Sequence, residues 1–344
     1  MPPRRGVTHA LDIERPADLT AYLEERGHLG GGERPEIRVL TGGVSNRVVL
    51  VERSPGPSWV IKQALAKLRV EADWFSDPAR IHSEAAGLRA LRDLAPPGSV
   101  PAFVFEDREH HLLCMEAVPE PHENWKQALL SGRVDRGAIL QLAELLATIH
   151  RRSSGRSDLA TQFEDRTHFE SLRLEPYYGY AARQVPDAAP FLQRLAADTR
   201  ARRLAIVHGD YSPKNVLVRE GRLVLLDCEV IHFGDPAFDL GFSLAHLLGK
   251  AHHLEHHREV FAEAALRYWD TYAGHLGGVS WGESLEVHAV RHALGCLLAR
   301  AAGRSPLEYL SEAERRHQVR VVVSLLAEAP VTMRALFESF VGKL

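Results

Sequence analysis

The sequence predicts an α+β fold of two lobes: a small β-rich lobe over residues 1–117 and a larger, mainly helical lobe over residues 118–344. Three observations carry that reading. Short β-rich runs separated by turn residues cluster between residues 36 and 63. The segment Val118-Pro119-Glu120-Pro121 then breaks the pattern. Beyond it apolar residues recur at helical spacing, interrupted by one β-rich island at about 205–231.

Leu19, Tyr22 and Leu23 share one side of a short helix over 16–27. Ile37 to Leu40, Val48 to Val51 and Trp59 to Lys62 read as strands, bounded by Thr41-Gly42-Gly43-Val44-Ser45-Asn46 and Ser54-Pro55-Gly56-Pro57-Ser58. Asp77 suits a helix N-cap, with Pro78 at the first helical position. Leu112 to Glu116 is a further strand. In the second lobe Ile139, Leu142, Leu145, Leu146 and Ile149 place a helix over 136–151, and others are expected near 189–202, 237–249, 257–273, 283–301 and 311–327. Residues 163–188 are rich in aromatics, including Phe163, Phe169, Tyr177, Tyr178 and Tyr180, and have no clean period. They line an acceptor pocket or simply pack the lobe.

Composition excludes several function classes. With 45% hydrophobic and 25% charged residues the chain has an ordinary globular balance. A net charge of -3 makes no electrostatic case for nucleic acid or an acidic membrane surface. The three cysteines, odd in number and far apart, suit a reducing compartment. The basic residues Arg4 and Arg5 are not followed by an apolar run, so no secretory signal is expected. No stretch approaches the ~20 apolar residues of a membrane span. The expectation is a cytoplasmic enzyme, and nothing in the sequence specifies an oligomeric state.

The island carries the chemistry. Its apolar runs 216–218 and 223–226 flank Glu220-Gly221, a hairpin signature. With the turn centred near Gly221, Asn215 and Asp227 fall opposite each other at the open end. An amide oxygen and a carboxylate so placed suit Mg²⁺. Glu229, two residues on, points the same way if the segment stays extended, and offers a further carboxylate. Asp210 stands in a Gly/Pro-containing loop five residues before Asn215. Phosphoryl transfer from ATP needs such a carboxylate, close to the metal ligands yet separate from them, to accept or orient a hydroxyl. His208 can brace this loop. An ordinary surface hairpin has no need of the ordered set His-x-Asp, Asn, hairpin, Asp.

The first lobe offers a phosphate-binding end. Gly42 and Gly43 let backbone N–H groups approach phosphate oxygens, and Ser45 or Asn46 adds donors, although most Gly-Gly loops between strands are plain turns. Lys62 lies in an apolar strand, and Glu84 lies on an apolar helix stripe with Ile81, Ala85 and Leu88. A buried carboxylate needs a cation. Lys62 is the natural one, with Arg80 and Arg89 as the alternatives. Glu116 and Ala117 end the last strand before the break; they offer backbone groups to an adenine edge, or end a strand and nothing more. Two His pairs at i,i+4 within His252, His253, His256 and His257 have zinc-site spacing but no metalloprotease glutamate, and read as a solvated helix start.

Together these residues resemble the aminoglycoside phosphotransferase and choline kinase superfamily, from about residue 37 to 250. The resemblance implies a protein-kinase-like fold and an ATP-dependent kinase acting on a small-molecule hydroxyl. It implies Asp210 as catalytic base, Asn215 and Asp227 as Mg²⁺ ligands, Lys62 and Glu84 as the phosphate-positioning pair, and Asp235 and Asp239 as structural braces. The chain departs from protein kinases at Gly209, where those carry Arg, and at Asp227-Cys228-Glu229, which replaces Asp-Phe-Gly. Lys62-Gln63-Ala64-Leu65, Asp77-Pro78-Ala79-Arg80-Ile81 and Asp227/Glu229 are similar to methylthioribose kinases, a subgroup that lacks the Asn found here at 215. A non-catalytic nucleotide-binding regulator on the same fold is the alternative from another function class.

Overall fold

The computed structural model describes residues 11–41, 43–69 and 74–344. Contacts divide the chain into two compact units, one running to Arg89 and including Pro101–Pro119, the other comprising Ala90–Val100 and Glu120–Leu344.

The first unit is built on a five-stranded antiparallel sheet: β1 (Glu36–Val39), β2 (Asn46–Glu52), β3 (Trp59–Ala64), β4 (Phe103–Asp107) and β5 (Leu112–Glu116), in the order β1-β2-β3-β5-β4. Alternation sends Val49, Val51, Trp59, Ile61 and Cys114 to one face. There they pack with Leu19, Tyr22 and Leu23 of α1 (Pro16–Glu25). Helix α2 (Arg80–Leu94) starts later than Asp77, because Pro78 and Ala79 form a turn whose Ala79 N–H donates to the Asp77 carboxylate at 2.9 Å.

The second unit is mainly helical. It contains α3 (Trp125–Leu130), α4 (Arg136–Ser153), α5 (Ser157–Gln162), α6 (Thr167–Phe169), α7 (Tyr180–Gln184), α8 (Ala189–Ala201), α9 (Ala237–His253), α10 (Arg258–Leu276), α11 (Gly282–Ala302), α12 (Glu312–Leu326) and α13 (Met333–Val341). Between α6 and α7 runs a π-helix, Glu170–Gly179. Its i→i+5 bonding explains why this aromatic segment shows no 3.6-residue period. Short strands β6 (Glu123–Asn124), β8 (Val216–Arg219) and β9 (Arg222–Leu225) form one small sheet, and β7 (Ala205–Val207) pairs with β10 (His232–Gly234) in another.

Helices α9 and α11 approach closely because α9 has no side chain at Gly241. A Cβ there would stand 2.3 Å from His292 Cβ and 2.6 Å from the Ala293 nitrogen. Backbone cannot move aside as a side chain can. Gly241→Ala is therefore expected to destabilise the protein by about 3 kcal/mol or more, read as a lowered denaturant midpoint. All three cysteines are free and buried. Among the described residues no helix is long and apolar enough to cross a membrane.

Candidate active site

In the first unit, β3 points Ile61 into the core and Lys62 to the opposite face. Lys62 Nζ lies 2.6 Å from Oε1 of Glu84, which is wholly buried on the α2 stripe with Ile81 and Ala85. Of the alternative cations, Arg89 turns to Glu106 at 3.0 Å and covers the Phe103 ring at 3.8 Å. Arg80, fully buried, donates to the carbonyls of Ser45, Leu65 (3.1 Å) and Asp77 (3.1 Å) and to Asn46 Oδ1 (3.4 Å). It thereby pins the loop ahead of β2 to the start of α2.

That changes the reading of the loop. Asn46 is buried, with its Oδ1 on Arg80 and its Nδ2 on Ser45 Oγ at 3.3 Å, so its side chain shapes the loop. The Ser45 carbonyl also accepts the Leu65 N–H at 3.0 Å. Gly43 is exposed, and Gly42 lies outside the described residues. The N–H groups of Glu116 and Ala117 donate to Ala102 and Ser58, each at 2.8 Å, so both are already used within the unit.

In the second unit β7 delivers His208-Gly209-Asp210 to a fixed position. Both oxygens of the fully buried Asp239 accept from this loop, from the His208 N–H (2.7 Å) and the Gly209 N–H (2.8 Å). His150 stands 3.4 Å from the same carboxylate and bonds Tyr272 at 2.7 Å. Gly209 has φ +77°, and a Cβ would meet Val230 Cγ2 at 2.7 Å; no arginine fits here. His208 Nδ1 accepts the Asp210 N–H at 3.2 Å, so Nε2 carries the proton and donates to the Leu226 carbonyl at 3.2 Å. Burial lowers its pKa and keeps this ring neutral.

Asp210 is 2% exposed. Its Oδ2 lies 2.9 Å from Arg173 Nη2 and 2.9 Å from Lys214 Nζ. Its Oδ1 is buried without a hydrogen bond. Burial by itself would raise the carboxyl's pKa. The charges of Arg173 and then Lys214 overcome it and hold Asp210 well below the usual carboxylate range. Arg173 is itself fixed by the Gly209 and Leu172 carbonyls, each at 2.9 Å.

The hairpin register differs from expectation by one residue. Glu220 (φ 49°) and Gly221 (φ 72°) form a two-residue turn with both centres left-handed, so Arg219 faces Arg222 and Val216 faces Leu225. Beyond the ladder the Leu226 N–H, not Asp227, meets the Asn215 carbonyl, at 2.8 Å. Asp227 leaves the strand with φ 65°. Glu229 sits in a turn closed by the Ile231 N–H on the Cys228 carbonyl at 3.1 Å, so the extended run that would align it with Asp227 does not exist. Asn215 Nδ2 donates to the Asp210 carbonyl at 3.0 Å, which turns its Oδ1 the other way. Asp227 and Glu229 both act electrostatically on Arg173, and Asp227 also on Lys214. Among the described residues no three His, Cys, Asp or Glu side chains converge as a metal cluster. Asn215 Oδ1 and the Asp227 carboxylate are nonetheless hard oxygen donors of the kind Mg²⁺ takes alongside phosphates and water.

Sequence reasoning missed Arg173 and Lys214. Lys214 lies four residues after Asp210, in the short 3₁₀ turn Pro213–Asn215, and the loop between them folds it back onto the carboxylate. Arg173 had no periodic signal, because the π-helix presents it.

Residues 36–276 match the phosphotransferase enzyme family. A methylthioribose kinase of Pectobacterium carotovorum is 27% identical over 274 residues, 69% of this chain and 67% of its own length. The chain spans about two thirds of the curated relatives it matches, 67% and 64% for the first two. A choline/ethanolamine kinase family protein from Mesorhizobium loti superposes with a TM-score of 0.53 at 17% identity, covering 96% of this chain and 97% of that one. A macrolide 2'-phosphotransferase from Brachybacterium faecium does so with 0.51 at 18% identity, covering 93% and 97%. These likenesses establish the protein-kinase-like α+β fold. The sequence match takes in well over half of the 344 residues, and the chain belongs to the phosphotransferase enzyme family.

Proposed function

We propose that the protein is an ATP-dependent kinase that transfers the γ-phosphoryl group to a hydroxyl of a small molecule. The observation that carries this reading is Asp210: a buried carboxylate held ionised by two cations on one oxygen, with the other oxygen unbonded. A protein that only bound nucleotide would gain nothing from burying such a group, and burying it costs stability.

The acceptor hydroxyl donates to Asp210 Oδ1. Its oxygen bonds the γ-phosphorus as the bond from that phosphorus to the β,γ-bridging oxygen breaks. ADP leaves with the electron pair, and the hydroxyl proton passes to Asp210. In a loose transition state the proton moves late, so an acceptor of low pKa serves by orienting the hydroxyl rather than by stripping it. Lys62, positioned by Glu84, and the backbone of the Gly42–Asn46 loop hold the phosphates. Asn215 and Asp227 would hold Mg²⁺, which when bound neutralises phosphate charge; Glu229 tunes Arg173 from outside that pair.

The test is ADP release by the full chain with Mg²⁺ and ATP across hydroxyl compounds. Lys62→Met is expected to raise the KM for ATP about tenfold or more, since a charge-assisted contact of this kind is worth ~1.5–3 kcal/mol. Absence of ADP release with every acceptor would revive the non-catalytic binder.

A further inference from the structure

Within the second unit, α9 and α11 bring together a buried group of basic side chains. Asp239 and Ser243 occupy one face of α9, and both hold the catalytic loop, Ser243 through the Tyr211 carbonyl at 2.6 Å. At helical spacing that face continues with His246 and Lys250. Lys250 is fully buried, yet its Nζ has only the His246 carbonyl at 3.3 Å and the face of Tyr309 at 5.2 Å. No carboxylate pairs with it among the described residues. Arg300 approaches the same region from α11; its Nη1 donates to the Ser305 carbonyl (2.6 Å), Ser305 Oγ (3.2 Å) and Tyr177 Oη (3.0 Å), and the guanidinium lies 5.9 Å from the Phe242 ring, which in turn packs on His246 at 5.1 Å. Lys126 of α3 and Lys214 complete the set of positive charges acting on His246.

Three polar atoms in this cluster are buried without partners: His246 Nε2, Arg300 Nε and Tyr309 Oη. Burial, reinforced by Lys126 and Arg300, brings the Lys250 pKa down to about 7. Glu308 is the carboxylate acting on it. Glu308 pairs with Lys126, and its side chain is 60% exposed. An interior that gathers Lys250 and Arg300 around His246, a ring that burial keeps neutral, is destabilising without an internal acid. An anion from outside would satisfy all three.

We propose that the acceptor is an anionic hydroxyl compound whose carboxylate or phosphate displaces Glu308 and binds Lys250, Arg300 and His246 while its hydroxyl meets Asp210. This rests on the kinase reading above. Cationic acceptors are disfavoured by the same charges.

Binding and turnover separate the two claims. Glucose 6-phosphate, glucuronate, glucose, methylthioribose, glucosamine and choline would be titrated calorimetrically into the full chain with Mg²⁺ and ADP, and assayed for ADP release with ATP. The phosphate and the carboxylate distinguish the two sources of charge. The expected result is that an anionic sugar binds at least tenfold tighter than glucose. Lys250→Met is expected to abolish that preference while raising Tm, and Glu308→Gln to strengthen it. Equal binding of anionic and neutral sugars, or a preference that survives Lys250→Met, would overturn the proposal. Best turnover of methylthioribose or choline, lost in Asp210→Asn, would overturn it too while leaving the kinase reading intact. Absence of ADP release together with anion-selective binding that depends on Lys250 would support the anion site and sink the kinase reading.

Discussion

Asp210→Asn is expected to lower turnover of any accepted hydroxyl compound by about 10²–10⁴-fold, the span usual for a positioned proton acceptor, without weakening ATP. The two halves of that expectation have separate causes. Turnover falls because an amide keeps the shape of the carboxylate but lacks its charge, so it neither orients the hydroxyl as strongly nor receives its proton. Nucleotide affinity holds because Asn leaves Arg173 and Lys214, each 2.9 Å from the former Oδ2, without their anion. Any phosphate charge near them then gains. The measurements are steady-state ADP release and calorimetric titration of ATP. A variant with wild-type turnover would remove Asp210 from the mechanism. One with tenfold weaker ATP binding would mean that the carboxylate mainly orders the loop.

The architecture was legible where one physical signal dominated. The strands of the first unit announced themselves by β-branched runs between turn residues, and the helices of the second by apolar spacing. Lys62 with Glu84 followed from the cost of an unpaired buried carboxylate, and the two stand 2.6 Å apart. The sequence reading passed over α13, although Met333, Leu336, Phe337 and Phe340 recur at helical spacing behind a Thr332 cap, because the segment is short. It also passed over β4, whose pairing with β5 is interrupted between Phe103 and Phe105. The hairpin register slipped because a two-residue turn and a turn centred on Gly221 differ by one position, which moves Asp227 past the ladder. Arg173 was illegible for a deeper reason. A π-helix has no 3.6-residue signature, and the partner that makes this arginine matter lies 37 residues later in sequence.

Arg173→Met should produce the other large effect, and its pH dependence identifies the cause. Removing one partner of a buried charge pair typically costs about 3–5 kcal/mol, because the remaining charge is left in a medium that solvates it poorly. Here Lys214 stays beside Asp210, so a loss near the lower end is expected at pH 7. The sign follows from linkage. In the wild type the folded-state pKa of Asp210 is depressed, so its contribution is present above the unfolded value of about 3.9 and disappears as pH falls toward the folded value. Without Arg173 burial weighs more heavily on the carboxylate and the folded pKa rises. The variant's deficit should then be largest at neutral pH and narrow as pH approaches 4, where protonation relieves the buried charge. The same rise moves the acidic limb of kcat/KM to higher pH. Arg173→Lys should recover part of the stability but little of the rate, since a lysine restores the charge without the second contact that arginine makes to the Gly209 carbonyl. Denaturant midpoints at pH 7 and pH 4.5, with a pH–rate profile, test this. A deficit that is the same at both pH values would show that Arg173 acts by packing the π-helix, and that the ionisation of Asp210 does not depend on it.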